Sequence, residues 1–524
     1  MADGMEKLEV IFGAPGCGKT TELARLARKI ALQDGSDTLL LCAFTRTAAH
    51  ELSTRGLEIE KRQIGTLHAL CFHGLDCPPL AESHTKEWNA SHALYALSSS
   101  QSITDCDLGH QGTFGDQCLH EVNVTRHRCL SARRLSPPAH LFWRAWADWK
   151  RETGYLDYTD LLARARTVLP VAPHVSRPYS VMVDEGQDMS LLQWSVLRQW
   201  ASHAARFIAA GDDEQALYRW AGADVRPLLT APSRRVLPQS YRVPRLQQAL
   251  ALAYGQRIRY KEPKVWRPRA TEGHLIRIGH TWHHADFWRL QAQRWLEESA
   301  RETTVTFIAP CAYMLQPLVA ALREAGVPFG NPWRTRRHDW NPLRMPHRGI
   351  GMVQRVLDFL KSPDRLWTWK ELGTWAPALL RSEECVYPGG KGRMTARAED
   401  PGLCTLADLK ELLLPLVLRR ALTGSLDWLE SATLRTQRNA LTYPCRVYRR
   451  YGRNALLDEP CIRVGTVHSF KGTESDIVVY FTDLSRSQRL ALCAGGDAAD
   501  DVWRMRYVAV TRAREMLILA GPLE

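Results

Sequence analysis

The sequence predicts an α/β protein with two parallel-sheet cores, each interrupted by a mainly helical insertion. Three observations carry that prediction. Short apolar or β-branched runs end in polar residues and alternate with helix-like stretches, the pattern of parallel sheets that hold ligands at the carboxyl ends of their strands. The 524 residues are 45% hydrophobic and 24% charged, enough for two to four domains with cores of their own. Two stretches break the alternation: residues from about Gly74 to Arg151, rich in His, Cys and Ser before a Trp-rich helix, and residues from about Trp340 to Asn454, helical throughout.

The first run, Leu8–Phe12, reads as a strand, and Thr21–Leu32 reads as a helix. Between them stands Gly13-Ala14-Pro15-Gly16-Cys17-Gly18-Lys19-Thr20, which fits G-x-x-x-x-G-K-[ST]. Glycines let backbone N–H groups turn onto phosphates, and the helix N-terminus adds positive potential. Lys19 is expected to reach the terminal phosphates and Thr20 to hold Mg²⁺. Further strands are expected at Thr38–Ala43, Ser180–Val183, Arg206–Ala210, Val305–Ala309, Ile462–Gly465, Ile477–Tyr480 and Met516–Ala520. The strand at Val181 ends in two carboxylates, as phosphate-loop hydrolysis requires. Asp184 is expected to contact Mg²⁺ and Glu185 to orient and deprotonate water. In the first insertion, Phe142, Trp146 and Trp149 share one helix face at i, i+4, i+7, the spacing of a core-packing stripe.

A net charge of +13 suits a polyanionic partner, most simply nucleic acid. Arg257–Arg269 and Arg334–Arg337 are basic clusters that could add salt-dependent affinity or be solvated loops. The longest strongly apolar stretch, Leu412–Leu418, is broken by Pro415 and too short to span a bilayer. Met1–Glu9 has no apolar signal core, and the 13 cysteines include no C-x-x-C pair. Reduced thiols and a cytoplasmic location without membrane partners are expected. Cys106, His110, Cys118, His120, His127 and Cys129 fall within 24 residues, but their spacing fits no common zinc pattern, so no zinc site is expected.

Seven segments, in order, resemble the motifs of the UvrD/Rep/PcrA group of superfamily 1 helicases. Beyond the phosphate loop, Asp184-Glu185-Gly186-Gln187-Asp188 resembles the group's acidic motif. Ala43–Ala49 and Gly65–His68 resemble its first single-strand contacts, and Gly211–Ala223 its third motif. Gln239–Arg242, Thr466–Glu474 and Tyr507–Arg514 resemble the fourth, fifth and sixth. The resemblance implies two RecA-like domains that bind ATP and single-stranded DNA. It divides the chain into domain 1A (1–73 and 152–238), insertion 1B (74–151), domain 2A (239–339 and 455–524) and insertion 2B (340–454). By resemblance, Gln215 senses the γ-phosphate, Arg242 and Arg512 are arginine fingers, and Glu474 binds the ribose or couples the two sites. Phe44, Tyr218 and Trp220 are the base-stacking candidates, since stacking reads no sequence. Thr45, Thr66, His68 and His468 are the phosphate or sugar contacts.

The sequence departs from the group in places. Only twelve residues precede Gly13, so no glutamine motif is expected to read the adenine. Thr21 stands where the group carries a base-stacking arginine, which leaves Tyr241 to stack on the base. The chain ends soon after the last strand, so no C-terminal extension or nuclease domain is expected. The implied activity is an ATP-dependent helicase moving 3′→5′ on single-stranded DNA and acting at junctions with duplex. The alternative is a DNA-dependent ATPase serving as a sensor or protein-stripping subunit of a larger repair, recombination or phage-defence complex.

Overall fold

The computed structural model describes residues 4–57, 59–98, 112–298, 302–332, 340–344, 351–379 and 385–522. Its first sheet consists of β1 (Leu8–Gly13), β2 (Leu39–Ala43), β3 (Ile64–Thr66), β4 (Ser180–Asp184), β5 (Arg206–Gly211) and β6 (Ser233–Leu237). The strand order is β3-β2-β4-β5-β1-β6, and every pairing is parallel. The central strands β1, β2, β4 and β5 are largely apolar on both faces, as strands with both faces covered must be. Val10, Phe12, Leu40, Val181 and Phe207 join one core cluster. Ile11, Leu39, Leu41, Met182 and Ile208 join the other, with Leu23, Ala27 and Ile30 of the helix Lys19–Asp34. Parallel pairing sends the ends of β1, β2, β3, β4 and β5 to one edge of the sheet, where the motifs begin.

The second sheet consists of β7 (His274–Ile278), β8 (Val305–Ala309), β9 (Phe329–Gly330), β10 (Ile462–Thr466), β11 (Ser475–Phe481) and β12 (Ala513–Ala520). Its order is β7-β12-β11-β8-β10-β9, and β8 pairs in parallel with both β10 and β11. The two cores of the expected α/β class are therefore present. Among the described residues between β9 and β10, the elements are helices, from Met352–Phe359 to Asn454–Leu457. Phe359, Trp367 and Trp375 are buried among them. No described helix is long and apolar enough to cross a membrane.

By contact, the chain forms two compact units: Met1–Leu275 with Leu484–Leu517, and Ile276–Asp483 with Ile518–Glu524. The expected division places residues 239–275 and 484–517 with the second core. Packing draws these segments to the first compact unit. The helix Gly496–Val510 lies along the helix Arg245–Gly255 and against Asp213–Gln215. Its Arg504 donates from Nε to the Asp213 carbonyl and from Nη2 to the Tyr260 carbonyl, each at 3.0 Å. Arg512, expected from the second core, accordingly belongs to the first unit.

In the first insertion the Trp-rich face is a core. Phe142, Trp146 and Trp149 are buried with Trp88. The Trp88 ring meets Trp146 edge-on at 4.9 Å, and Trp146 stacks on Trp149 at 5.0 Å. The Trp146 indole N–H donates to Asp157 Oδ2 at 3.0 Å, so its one polar atom is satisfied. Arg126 Nη1 donates to the same oxygen at 2.9 Å.

Candidate functional site

The loop after β1 turns through two left-handed glycines, Gly16 at φ 72° and Gly18 at φ 76°. Gly18 caps the helix Lys19–Asp34, so the first free N–H groups of that helix face the loop. Ser240–Arg242 clamps the loop from outside. Ser240 Oγ donates to the Pro15 carbonyl at 2.7 Å, and the Tyr241 N–H donates to the Gly16 carbonyl at 2.9 Å. The fit is close enough that a Cβ on Gly16 would lie 2.3 Å from Arg242 Cβ. Lys19 is only 8% exposed, and its ammonium donates to the Gly13 carbonyl at 2.8 Å. Burial pushes the Cys17 thiol up to about 11, so it stays neutral beside the lysine. Tyr241 is exposed beside the loop. Thr21 Oγ1 accepts from Arg55 Nη1 at 2.7 Å, so a guanidinium does stand beside this threonine, supplied from another segment.

Thr20 Oγ1 donates to Asp184 Oδ2 at 2.8 Å, joining the loop to the end of β4. Burial, and next the charge of Glu185, push the Asp184 carboxyl up to about 7. A hydroxyl and a carboxylate whose charge is opposed by burial and by Glu185, and only partly relieved by Lys19, fit a divalent cation with oxygen ligands. Glu185 adopts φ 54°, a left-handed conformation that non-glycine residues rarely take outside functional turns. Gln187 donates from Nε2 to the Glu185 carboxylate and accepts at Oε1 from the Asp212 N–H at 3.0 Å. Gln215 Nε2 donates to Asp212 Oδ2 at 2.7 Å, and Arg512 Nη2 donates to Gln215 Oε1 at 2.8 Å. Arg512 is 2% exposed. Burial, and next the nearby Arg242 guanidinium, push it down to about 9, which still leaves it charged at neutral pH. Two mutually repelling guanidiniums and an ammonium around a glycine loop form a cradle for a polyphosphate. Glu185 follows β4, close enough to Arg512 for its charge to favour the guanidinium's.

The candidate stacking residues form a row. Phe44 and Tyr218 have ring centroids 5.1 Å apart, and Tyr218 and Trp220 6.4 Å apart. The row gains a member from the first insertion: His120 lies 5.8 Å from Trp220. Thr45 and Thr66 cap helices, accepting from Ala48 N at 3.1 Å and Ala69 N at 3.3 Å. The His68 ring packs against His127 and Tyr158, at 6.3 and 6.1 Å, and burial pushes it down to about 4. A neutral, packed imidazole is a weaker phosphate ligand than the sequence suggests. His468 and Glu474 belong to the second unit.

Other expected groups have structural employment. Cys118 is in the insertion core, and His127 Nδ1 lies 2.8 Å from Ser190 Oγ. Cys129 is exposed, while Cys106 and His110 lie outside the described residues. Among the described residues no group of three His, Cys, Asp or Glu is arranged to hold a metal. Within the run Arg257–Arg269, Arg257, Arg259 and Arg267 are exposed, whereas the Lys264 side chain is buried. Arg257 lies over Trp503 at 5.6 Å, Arg259 pairs with Asp497 at 3.0 Å, and Lys264 pairs with Asp212 at 2.7 Å. Arg334–Arg337 lie outside the described residues. Sequence reasoning passed over Gln187 and Ser240, although both sit inside quoted motifs. It passed over Lys264 because nothing local marks it.

The description UvrD/REP helicase N-terminal domain matches residues 4–234. DNA helicase II of Escherichia coli is 26% identical over 239 residues, 42% of this chain and 33% of that protein. DNA helicase II of Salmonella typhimurium is 24% identical over 237 residues, 41% of this chain and 33% of that protein. A putative ATP-dependent DNA helicase of Bacillus subtilis, YjcD, is 23% identical over 238 residues, 41% of this chain and 31% of that protein. Each match spans about a third of the relative's length. The phosphate loop, the acidic pair and the glutamine converge within residues 4–234, the segment similar to the UvrD/REP helicase N-terminal domain, and two arginines from beyond that segment join them.

Proposed function

We propose that this chain is an ATP-dependent DNA helicase and translocase that moves 3′→5′ on single-stranded DNA and opens duplex at single-strand/double-strand junctions. The observation that carries the reading is the continuous path from Glu185 through Gln187, Asp212 and Gln215 to Arg512, with Tyr218 and Trp220 three and five residues beyond Gln215. ATP is held by Gly13, Ala14, Gly16, Cys17, Gly18, Lys19, Thr20 and Thr21, with its base against Tyr241. Thr20 and Asp184 would hold Mg²⁺, which neutralises phosphate charge when bound. Glu185 takes the proton of the attacking water. Lys19, Arg242 and Arg512 stabilise the charge that develops on the phosphate, and an arginine in that role contributes about 10³–10⁵ in rate. Gln215 connects this event to the row Phe44, Tyr218 and Trp220, on which bases stack. Thr45, Thr66, His68 and His468 line the strand's backbone, and Glu474 serves the nucleotide's ribose or the coupling. The four-part division into 1A, 1B, 2A and 2B, and work in the cytoplasm, belong to the same reading.

Hydrolysis of ATP with and without single-stranded DNA tests it. DNA should stimulate turnover, and Lys19→Ala should abolish it while the fold survives. Undiminished turnover in that variant would overturn the site.

A further inference from the structure

Behind the site lies a buried charge cluster that the reaction as described does not use. Lys264 has a side chain only 1% exposed, in contact with three carboxylates. Its ammonium lies 2.7 Å from Asp212 Oδ1 and 3.2 Å from Glu214 Oε2, and also bonds Asp213. Lys261 Nζ reaches Glu214 Oε1 at 3.4 Å, and Arg504 spends its Nε on the Asp213 carbonyl. Burial opposes ionisation of Asp212, but Lys264, and next Lys19, more than offset it and hold the carboxyl below its usual range.

Asp212 is the hub of the path. Its N–H fixes the Gln187 amide, which bonds Glu185. Its Oδ2 fixes the Gln215 amide, whose Oε1 takes the Arg512 proton donor. Only one end of an amide group donates. An ionised Asp212 can only accept, so it forces Gln215 to turn Nε2 inward and Oε1 toward Arg512. A protonated or displaced Asp212 would release that choice.

We propose that Lys264 is a positioning residue for ATP hydrolysis: by keeping Asp212 ionised and in place, it sets the orientation of the Gln215 amide and, through it, of the Arg512 guanidinium. The inference rests on the proposed ATPase reading. Lys264 touches neither nucleotide nor water in this account. It acts through Asp212.

The test is a double-mutant cycle read in DNA-stimulated hydrolysis, with ATP binding measured separately. Lys264→Met should lower kcat by about tenfold or more with KM for ATP changed by less than about threefold. In the Gln215→Ala background the same substitution should cost little further, because the path is already cut. Lys264→Arg should recover part of kcat. Lys264→Met leaves carboxylates buried without their counter-ion and can fail to fold. Asp212→Asn, which keeps shape and loses the charge, then serves in the same cycle with the same expectation. Equal losses in the two backgrounds, or a raised KM with kcat intact, would overturn the positioning role while leaving the ATPase reading standing. A wild-type chain that binds ATP and hydrolyses none would overturn the ATPase reading itself, and the positioning role with it.

Discussion

Gly16 is the residue on which the nucleotide loop turns, and two independent demands fall on it. Its φ of 72° is left-handed, and Arg242 leaves no room for a Cβ. Gly16→Ala should therefore cost about 1–2 kcal/mol in backbone strain alone, with displacement of Arg242 in addition. We expect ATP affinity to fall sharply, read with a fluorescent nucleotide, while the melting temperature moves little. Unchanged affinity would mean that the loop re-forms around the methyl. At this scale the sequence is legible where one motif holds all the parts. Lys19, Thr20 and Glu185 announce themselves because strand, loop and carboxylate pair are local patterns. Lys264 is illegible because its partner Asp212 lies 52 positions away, and only folding brings the ammonium under it. In the cationic run around it Arg257, Arg259 and Arg267 are exposed, as a surface run would be, while Lys264 is buried. Charge counts do not reveal which cations meet carboxylates.

The first insertion shows what elements add to single residues. Its Trp stripe was legible from helical spacing, and the structure buries it against Trp88. Trp146→Ala should destabilise the protein by about 3–5 kcal/mol, measured by denaturant unfolding. A loss below about 1 kcal/mol would contradict its place in the core. The same helix bundle presents His127 to His68, and burial holds both neutral, at about 3 and about 4. Their folded values lie below the ordinary value of 6.5, so the unfolded chain takes up protons first as pH falls. Their contribution to stability is full above about pH 6.5 and drains away as pH drops toward 4 and below. The melting temperature of His127→Gln should therefore fall less steeply over that range than that of the wild type. Parallel slopes would refute the buried neutral pair. Trp220 joins two elements, since its own segment carries it to His120 of the insertion. Trp220→Ala should weaken single-stranded DNA binding by about 1–3 kcal/mol and leave ATP affinity nearly intact. Equal loss of both would make it a packing residue.

For the whole molecule, the two six-stranded sheets follow from the alternation of apolar runs and helices. The expected strands match the observed ones to within a few residues. Strands β3, β6, β7 and β9 escaped notice because they are short or polar: Ser233–Leu237 carries two arginines, and Phe329–Gly330 is two residues long. The division into compact units escaped because it depends on the helix Gly496–Val510 packing onto the first sheet's motif loop, a contact made across nearly three hundred residues of chain. The proposed function requires the whole molecule: hydrolysis at the loop is to drive directional movement on a strand. The most direct measurement is ATP-dependent displacement of streptavidin from single-stranded oligonucleotides biotinylated at the 5′ or the 3′ end, with Lys19→Ala as control. Preferential clearance from the 5′ end, absent in Lys19→Ala, is the predicted result. No clearance from either end, with DNA-stimulated hydrolysis retained, would contradict the motor and leave an ATPase that senses DNA without moving along it.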